Sequence, residues 1–480
     1  MKQFPKSVSL FALLVSLLLG GCATVGPDYT PPELDLPPVW SQDPAQLPDH
    51  RGVTQWWTLF KDPLLDRLIQ TARSQNHDLK TAMARVDEVG ARLGMVRADQ
   101  LPTVDLQGET TRNFNSENTR DQGSVETHHD IGIAAGWELD LFGRVRRSIE
   151  AARADYQASV EDRTDVMIRL YAQVSLSYLK IRTLQARLTY ARNNINSQME
   201  LLHLTRSRNT HGLGSGLDLA QAQRLLARAQ AEVPPLNIAL ARETNALALL
   251  MGQPPGGLVD QFPSLAAPSA LDNHAIPLAP DSALVGVPTN LLRQRPDIRR
   301  AERELAGQTA RIGVTKADLY PRLTLNGSFG YATADISDWL TAGSQRIGFG
   351  PAVKWNLFSR DRIYNRIKAQ EAVTQQYFLK YEYTVLNALR EVEDNLKKHH
   401  EDQVRLERLE KAVEAARRSV KLSTRLYKKG LVDFQPVLDA QRDQLDFEDQ
   451  LAIAQGNVAA NFVTLYRVMG GGWNPTQIQN

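Results

Sequence analysis

The spacing of hydrophobic positions changes from helical to alternating and back, and the whole order of changes occurs twice along the chain. From Asp62 to Asp99 apolar and alanine positions recur at helical spacing until Pro102 closes the run. The period then falls to two from Thr103 to Arg112 and from His129 to Phe142, which predicts two strands. In the second of these Ile131, Ile133, Ala135, Trp137, Leu139 and Leu141 share one face, while Asp130, Gly132, Ala134, Gly136, Glu138 and Asp140 share the other. Helical spacing returns from Arg146 to Asn209 without a glycine or proline, enough for about 95 Å of helix. The turn from His211 to Gly216 reverses the chain into a helix from Leu217 to Met251, with a kink or short break predicted at Pro234-Pro235.

The second pass keeps this order. A helix from Arg295 to Asp318 ends at Pro321, strands follow from Arg322 to Tyr331 and around Ile347 to Leu357, and Asp361 to Lys429 predicts another helix of about 105 Å. The chain turns at Lys429 to Asp433 and returns from Pro436 to Met469. Setting Asp78 against Asp297, a shift of 219 (297 − 78), also aligns Arg92 with Arg311, Gly94 with Gly313 and Pro102 with Pro321. Farther on, Gly212 aligns with Gly430, Ala222-Gln223-Arg224 with Ala440-Gln441-Arg442 and Met251-Gly252 with Met469-Gly470, at a shift of 218 (430 − 212). Helical composition repeats leucine and alanine, but it does not hold such triplets at one shift. The chain therefore reads as a duplicated half-molecule, not a solenoid of short repeats.

The predicted organisation is a leader over residues 1–21, an extended tether over 22–61, a first repeat over 62–252, a linker over 253–294, a second repeat over 295–472 and a tail over 473–480. Prolines mark both the tether and the linker as irregular. Trp40, Trp56, Trp57 and Phe60 are expected to dock the tether on the folded body.

Strands of this length can cross a bilayer at a tilt, for which about 9 to 11 residues suffice. A soluble hairpin packed on the helices is the alternative. The Leu/Ile/Trp face opposite a polar and glycine face favours the bilayer, with Trp137, Phe142, Phe329, Tyr331, Trp339 and Trp355 as aromatic girdles. Four strands cannot close a barrel, and an open edge in lipid leaves backbone groups unpaired, so the strands must come from several chains.

A net charge of +2 over 480 residues gives no reason to expect nucleic acid, and 42% apolar residues suffice for a large core. Lys2 and Lys6, the apolar run from Val8 to Leu19 and Gly20-Gly21 have the layout of a secretory signal peptide. Cys22, the only cysteine, follows at once. Leu19-Gly-Gly-Cys22 resembles the bacterial lipobox, which implies S-diacylglycerol and N-acyl (palmitate) modification of Cys22. Ala23 in the next position resembles outer-membrane sorting.

Cys22 to Tyr29, Trp137 to Arg144, Arg293 to Ile298, Ala317 to Pro321, Val437 to Gln441 and Gly470 to Trp473 together resemble the outer-membrane efflux factors of the TolC and OprM kind, in their lipoprotein branch. The resemblance covers the whole mature chain. It implies a mainly α fold with membrane β: a homotrimer whose chains each give four strands to a twelve-stranded outer-membrane barrel, continuous with a helical tunnel in the periplasm. It also implies a passive duct for drugs or other small toxic compounds. Its partners would be a periplasmic adaptor and an inner-membrane pump of the proton-driven RND type. The tunnel would be closed at rest around the second turn, with Asp439 at the constriction and Arg442, Tyr427 and, from the first turn, Asp218 nearby. Three copies of a carboxylate around an axis would attract cations. A helix-start aspartate near the dipole's positive end is the alternative for Asp439.

No cofactor is expected. The adjacent pairs His128-His129 and His399-His400 point apart on a strand or helix and default to solvated surface. No phosphate loop or free thiol remains, so the chain does not read as an enzyme. The rival readings are a duct for type I protein secretion and a periplasmic coiled-coil scaffold without a pore.

Overall fold

The computed structural model describes residues 24–35, 37, 40, 55–118, 123–265, 276–277 and 295–471. The predicted signal peptide, Cys22, most of the linker and the tail lie outside the described residues. After a 3-10 turn at Trp56–Phe60 the order is α1 (Pro63–Gln75), α2 (His77–Ala98), β1 (Thr103–Phe114), β2 (Val125–Leu139), α3 (Arg144–Thr210), α4 (Gly216–Ala231), α5 (Val233–Leu250) and α6 (Gly257–Gln261). The second half gives α7 (Pro296–Ala317), β3 (Arg322–Thr333), β4 (Gln345–Lys354), α8 (Arg360–Lys428) and α9 (Gln435–Val468).

The four strands form one antiparallel sheet in the order β1-β2-β3-β4. Ile133 lies opposite Leu106 and Phe329, and Phe329 opposite Ile347, so one face is apolar across all four strands. Asp130 lies opposite Glu109 and Ala332 on the other face, where Arg346 reaches its carboxylate at 2.9 Å. Both faces alternate as the sequence predicts, and β1 and β4 are unpaired edges within the chain. Among the described residues no helix is long and apolar enough to cross a membrane.

Three predicted boundaries are corrected. The helix expected from Asp62 to Asp99 is two helices, because Asn76 breaks it: its Oδ1 accepts from Leu79 N at 2.9 Å and its Nδ2 donates to Leu250 O at 3.0 Å. β2 stops at Leu139 rather than Phe142, because the Asp140 carboxylate takes the N–H groups of Val145 and Arg146 (3.0 and 2.9 Å) and starts α3. The linker holds a short helix, α6. The kink or short break expected at Pro234-Pro235 is present: Glu232 alone separates α4 from α5.

The duplication recurs in hydrogen bonds. Trp137 Nε1 donates to Gln100 O at 2.9 Å, and Trp355 Nε1 donates to Leu319 O at 3.0 Å. The chain separates into two compact units, each drawing on both repeats. The first (within Met1–Leu34, Arg85–Val160 and Arg300–Tyr383) holds the sheet, the described residues up to Leu34 and the adjoining helix segments. The second (within Asp35–Ala84, Glu161–Arg299 and Thr384–Asn480) holds the docked aromatics: Trp56 stacks on Tyr466 at 5.6 Å, Trp57 meets Tyr171 at 5.0 Å and Phe60 meets Phe462 at 5.4 Å. Trp40 is buried there too, so the tether docks as expected.

Candidate functional site

The two turns that end the long helices both lie in the second unit. Their backbones are the same: Gly212 N donates to Asn209 O and Leu213 N to Arg208 O (3.0 and 2.8 Å), as Gly430 N does to Tyr427 O and Leu431 N to Leu426 O (2.9 and 3.0 Å). Gly212 and Gly430 carry φ of 70° and 72°, left-handed values that glycine adopts without strain.

The side chains differ. At the first turn Ser215 Oγ accepts from Asp218 N at 3.1 Å while Asp218 Oδ2 accepts from Ser215 N at 3.3 Å, a closed capping box. Asp218 is thus engaged in its own helix start. At the second turn no side chain among the described residues caps α9. Phe434 is buried instead, clustered with Tyr427, Val437 and Leu438 and with Leu201, Ala222 and Leu225 from the first hairpin. Arg208 joins the two: its guanidinium lies 4.6 Å over the Tyr427 ring, Nη1 donates to Tyr427 O at 2.8 Å, and Nη2 donates to Leu213 O at 3.2 Å.

Of the residues predicted for the constriction, Tyr427 is 2% exposed, with a buried hydroxyl that finds no partner among the described residues. Asp439 is exposed and accepts from Gln435 Nε2 at 2.9 Å. Arg442 is exposed and forms no ion pair among the described residues; it lines a polar cleft of about 560 Å³ with Asp443, Asp446 and Arg228. The structure therefore joins Tyr427 to Arg208, which the sequence reading missed, and does not join Asp439 to Arg442. The available signal was the repeat itself, since Arg208 stands where the other copy has Leu426 (426 − 208 = 218). Two more ties went unseen: Arg187 grips Asp449 at 2.6 and 3.1 Å, and Arg417 holds Glu448 at 2.7 Å.

The histidine pairs need one correction. His128 lies on the polar strand face and His129 meets Thr110 Oγ1 at 3.0 Å, but His399 is not solvated surface. It is 3% exposed with neither ring nitrogen bonded, because its side of α8 is packed, and burial pushes its pKa down. Among the described residues no group of three or more His, Cys, Asp or Glu could hold a metal ion.

Cys22 itself is not described, but the residues after it are held tightly within the first unit. Arg147, with a side chain 4% exposed, donates to Val25 O and Gly26 O (both 3.2 Å) and to Asp28 Oδ1 at 2.7 Å. A Cβ on Gly26 would lie 2.4 Å from Gly313 Cα, and one on Gly143 would lie 2.5 Å from Thr24 Cγ2. Tyr29 donates to Glu302 Oε1 at 3.3 Å, and burial pushes its hydroxyl pKa up.

Comparison with known proteins finds a match to the family described as "Outer membrane efflux protein" over residues 68–253 and 287–471, one stretch in each repeat. The chain is 30% identical over 460 residues to nodulation protein T of Rhizobium leguminosarum bv. trifolii, covering 96% of both chains. It is 31% identical over 481 residues to the solvent efflux pump outer membrane protein SrpC of Pseudomonas putida, covering 98% of this chain and 99% of that one. A solved structure of the outer-membrane channel OprN aligns with a TM-score of 0.87 at 32% identity, over 94% of this chain and 100% of that one.

Proposed function

The chain belongs to the outer membrane efflux protein family, and we propose that it is the passive outer-membrane duct of a tripartite efflux system. It takes small toxic compounds from an inner-membrane pump, of the proton-driven RND type, through a periplasmic adaptor. The observation that carries this reading is the sheet: an apolar face, a polar and glycine face, and two unpaired edges. Such a sheet satisfies its backbone in lipid only by closing with other copies, and three copies give twelve strands. Helices of 67 and 69 residues supply a periplasmic wall of about 100 Å.

Cys22 is the lipid anchor in this reading. Two residues further on, Thr24 packs against Gly143, where an added Cβ would lie 2.9 Å from the Thr24 Cα. Intact mass of membrane-extracted protein should show an acylated chain beginning at Cys22. The paired turns form the closable end, clamped by Arg208 and Tyr427.

Purified protein in a planar bilayer should conduct, and deletion of its gene should sensitise cells to solvents or antibiotics. A detergent-free, non-conducting protein would overturn the duct.

A further inference from the structure

The two free edges of the sheet correspond to an internal seam that the chain has already made. β2 of the first repeat pairs with β3 of the second, placing Gly136 opposite Asn326, Ala135 opposite Gly327 and Ala134 opposite Ser328. By the duplication β4 corresponds to β2 at a shift of 218 (355 − 137), and β1 corresponds to β3 at 219 (322 − 103). Each edge is thus half of a second seam whose other half is missing from the chain.

Resting on the oligomeric duct above, we propose that β4 of one copy pairs antiparallel with β1 of the next in the transposed register. Lys354 then lies opposite the partner subunit's Gln107, Val353 opposite the partner subunit's Gly108, and Ala352 opposite the partner subunit's Glu109. Two features of the chain agree with this register. First, the faces agree: Lys354 and Ala352 share the polar face of β4, as Gln107 and Glu109 do on β1, while Val353 and Gly108 share the apolar faces. A one-residue slip would turn an apolar face toward the polar one along the entire seam.

Second, the helices beside the seam agree in charge. Within the chain Arg311 of α7 pairs with Asp155 of α3. The corresponding positions are Arg92 of α2 (311 − 219) and Glu371 of α8 (155 + 216, the shift that aligns Phe142-Gly143-Arg144 with Phe358-Ser359-Arg360). Their side chains are 72% and 47% exposed and opposite in charge; among the described residues Arg92 pairs with Glu88 one turn earlier and Glu371 with Lys316 of α7. Arg92 therefore faces the partner subunit's Glu371. The interface is head-to-tail, and only a closed ring leaves no strand edge in the bilayer.

The test uses the full-length protein in outer membranes, in which engineered cysteines would be the free thiols. Ala352→Cys with Glu109→Cys should yield covalent dimers and trimers with a short thiol cross-linker, at least about tenfold more than the slipped pairs Ala352→Cys with Gln107→Cys or Ala352→Cys with Thr111→Cys. Stronger linkage in a slipped pair overturns the register, as does no linkage in any pair while native mass spectrometry shows a trimer. A stably folded monomer would overturn the duct reading as well. Independently, Arg92→Glu should cut trimer yield severalfold and Glu371→Arg in the same chain should restore it; a double variant no better than the single one overturns the helix contact.

Discussion

At the first turn the returning helix is capped by its own residues, Ser215 and Asp218, whereas at the second the helix start has no side-chain cap and is fixed by Phe434 and by Arg208 from the other hairpin. The backbone hydrogen bonds are the same at both turns, so the duplication preserved the reversal and changed what secures it. A capping box survives the loss of tertiary contacts, because both partners lie within three residues. A buried aromatic and a guanidinium from another element do not. The second turn is therefore the one whose hold depends on the other hairpin and is lost when that contact is lost, whereas the first turn keeps its cap.

The largest effect should come from Phe434→Ala. Removing a fully buried aromatic from the cluster with Tyr427, Leu201 and Leu225 should cost about 3 to 5 kcal/mol locally. Single-channel conductance should rise, and cells carrying the variant should become sensitive to large antibiotics. Unchanged conductance in a correctly assembled variant would show that the second turn is secured elsewhere.

Arg208→Ala should come next, at about 1.5 to 3 kcal/mol, since it strips the donors from Tyr427 O and Leu213 O and the cation from the Tyr427 ring. Arg208→Lys should not restore closure, because an ammonium cannot serve two carbonyls and stack at once. Bilayer recordings of both variants would check this. A lysine variant with wild-type conductance would reduce the contact to a point charge.

Much of this was legible before the structure. The 219-residue shift, the alternation that sets the sheet faces and the glycines of both turns are local or periodic, and period and shift are what a sequence displays. Arg208, Arg187 with Asp449, and the burial of His399 were not legible, because each depends on which side of a very long helix meets a neighbour. Over nearly seventy residues the apolar stripe is too diffuse to fix that side. Asn76 shows the opposite failure: a residue suited to capping stood in plain view, but the apolar periodicity continued across it and read as one helix.

Ser215→Ala should cost about 1 kcal/mol and stay local. Thermal stability should fall slightly with no change in conductance, in contrast with Arg208→Ala. A conductance rise equal to that of Arg208→Ala would erase the distinction between the two turns.

The smallest stability effect belongs to Asp439→Ala, within about 0.5 kcal/mol, because this exposed carboxylate is held only by Gln435 one turn earlier in its own helix. With Asp439 accepting from Gln435 and forming no ion pair with Arg442 among the described residues, losing the carboxylate should leave closure intact. Its field is another matter. Were three copies to bring these carboxylates into a ring on the pathway, they would attract cations, and the variant should show reduced cation preference at near wild-type conductance, read from reversal potentials under a salt gradient. An unchanged preference makes Asp439 a helix-start residue facing away from the pathway. A conductance rise matching Arg208→Ala places it in the clamp.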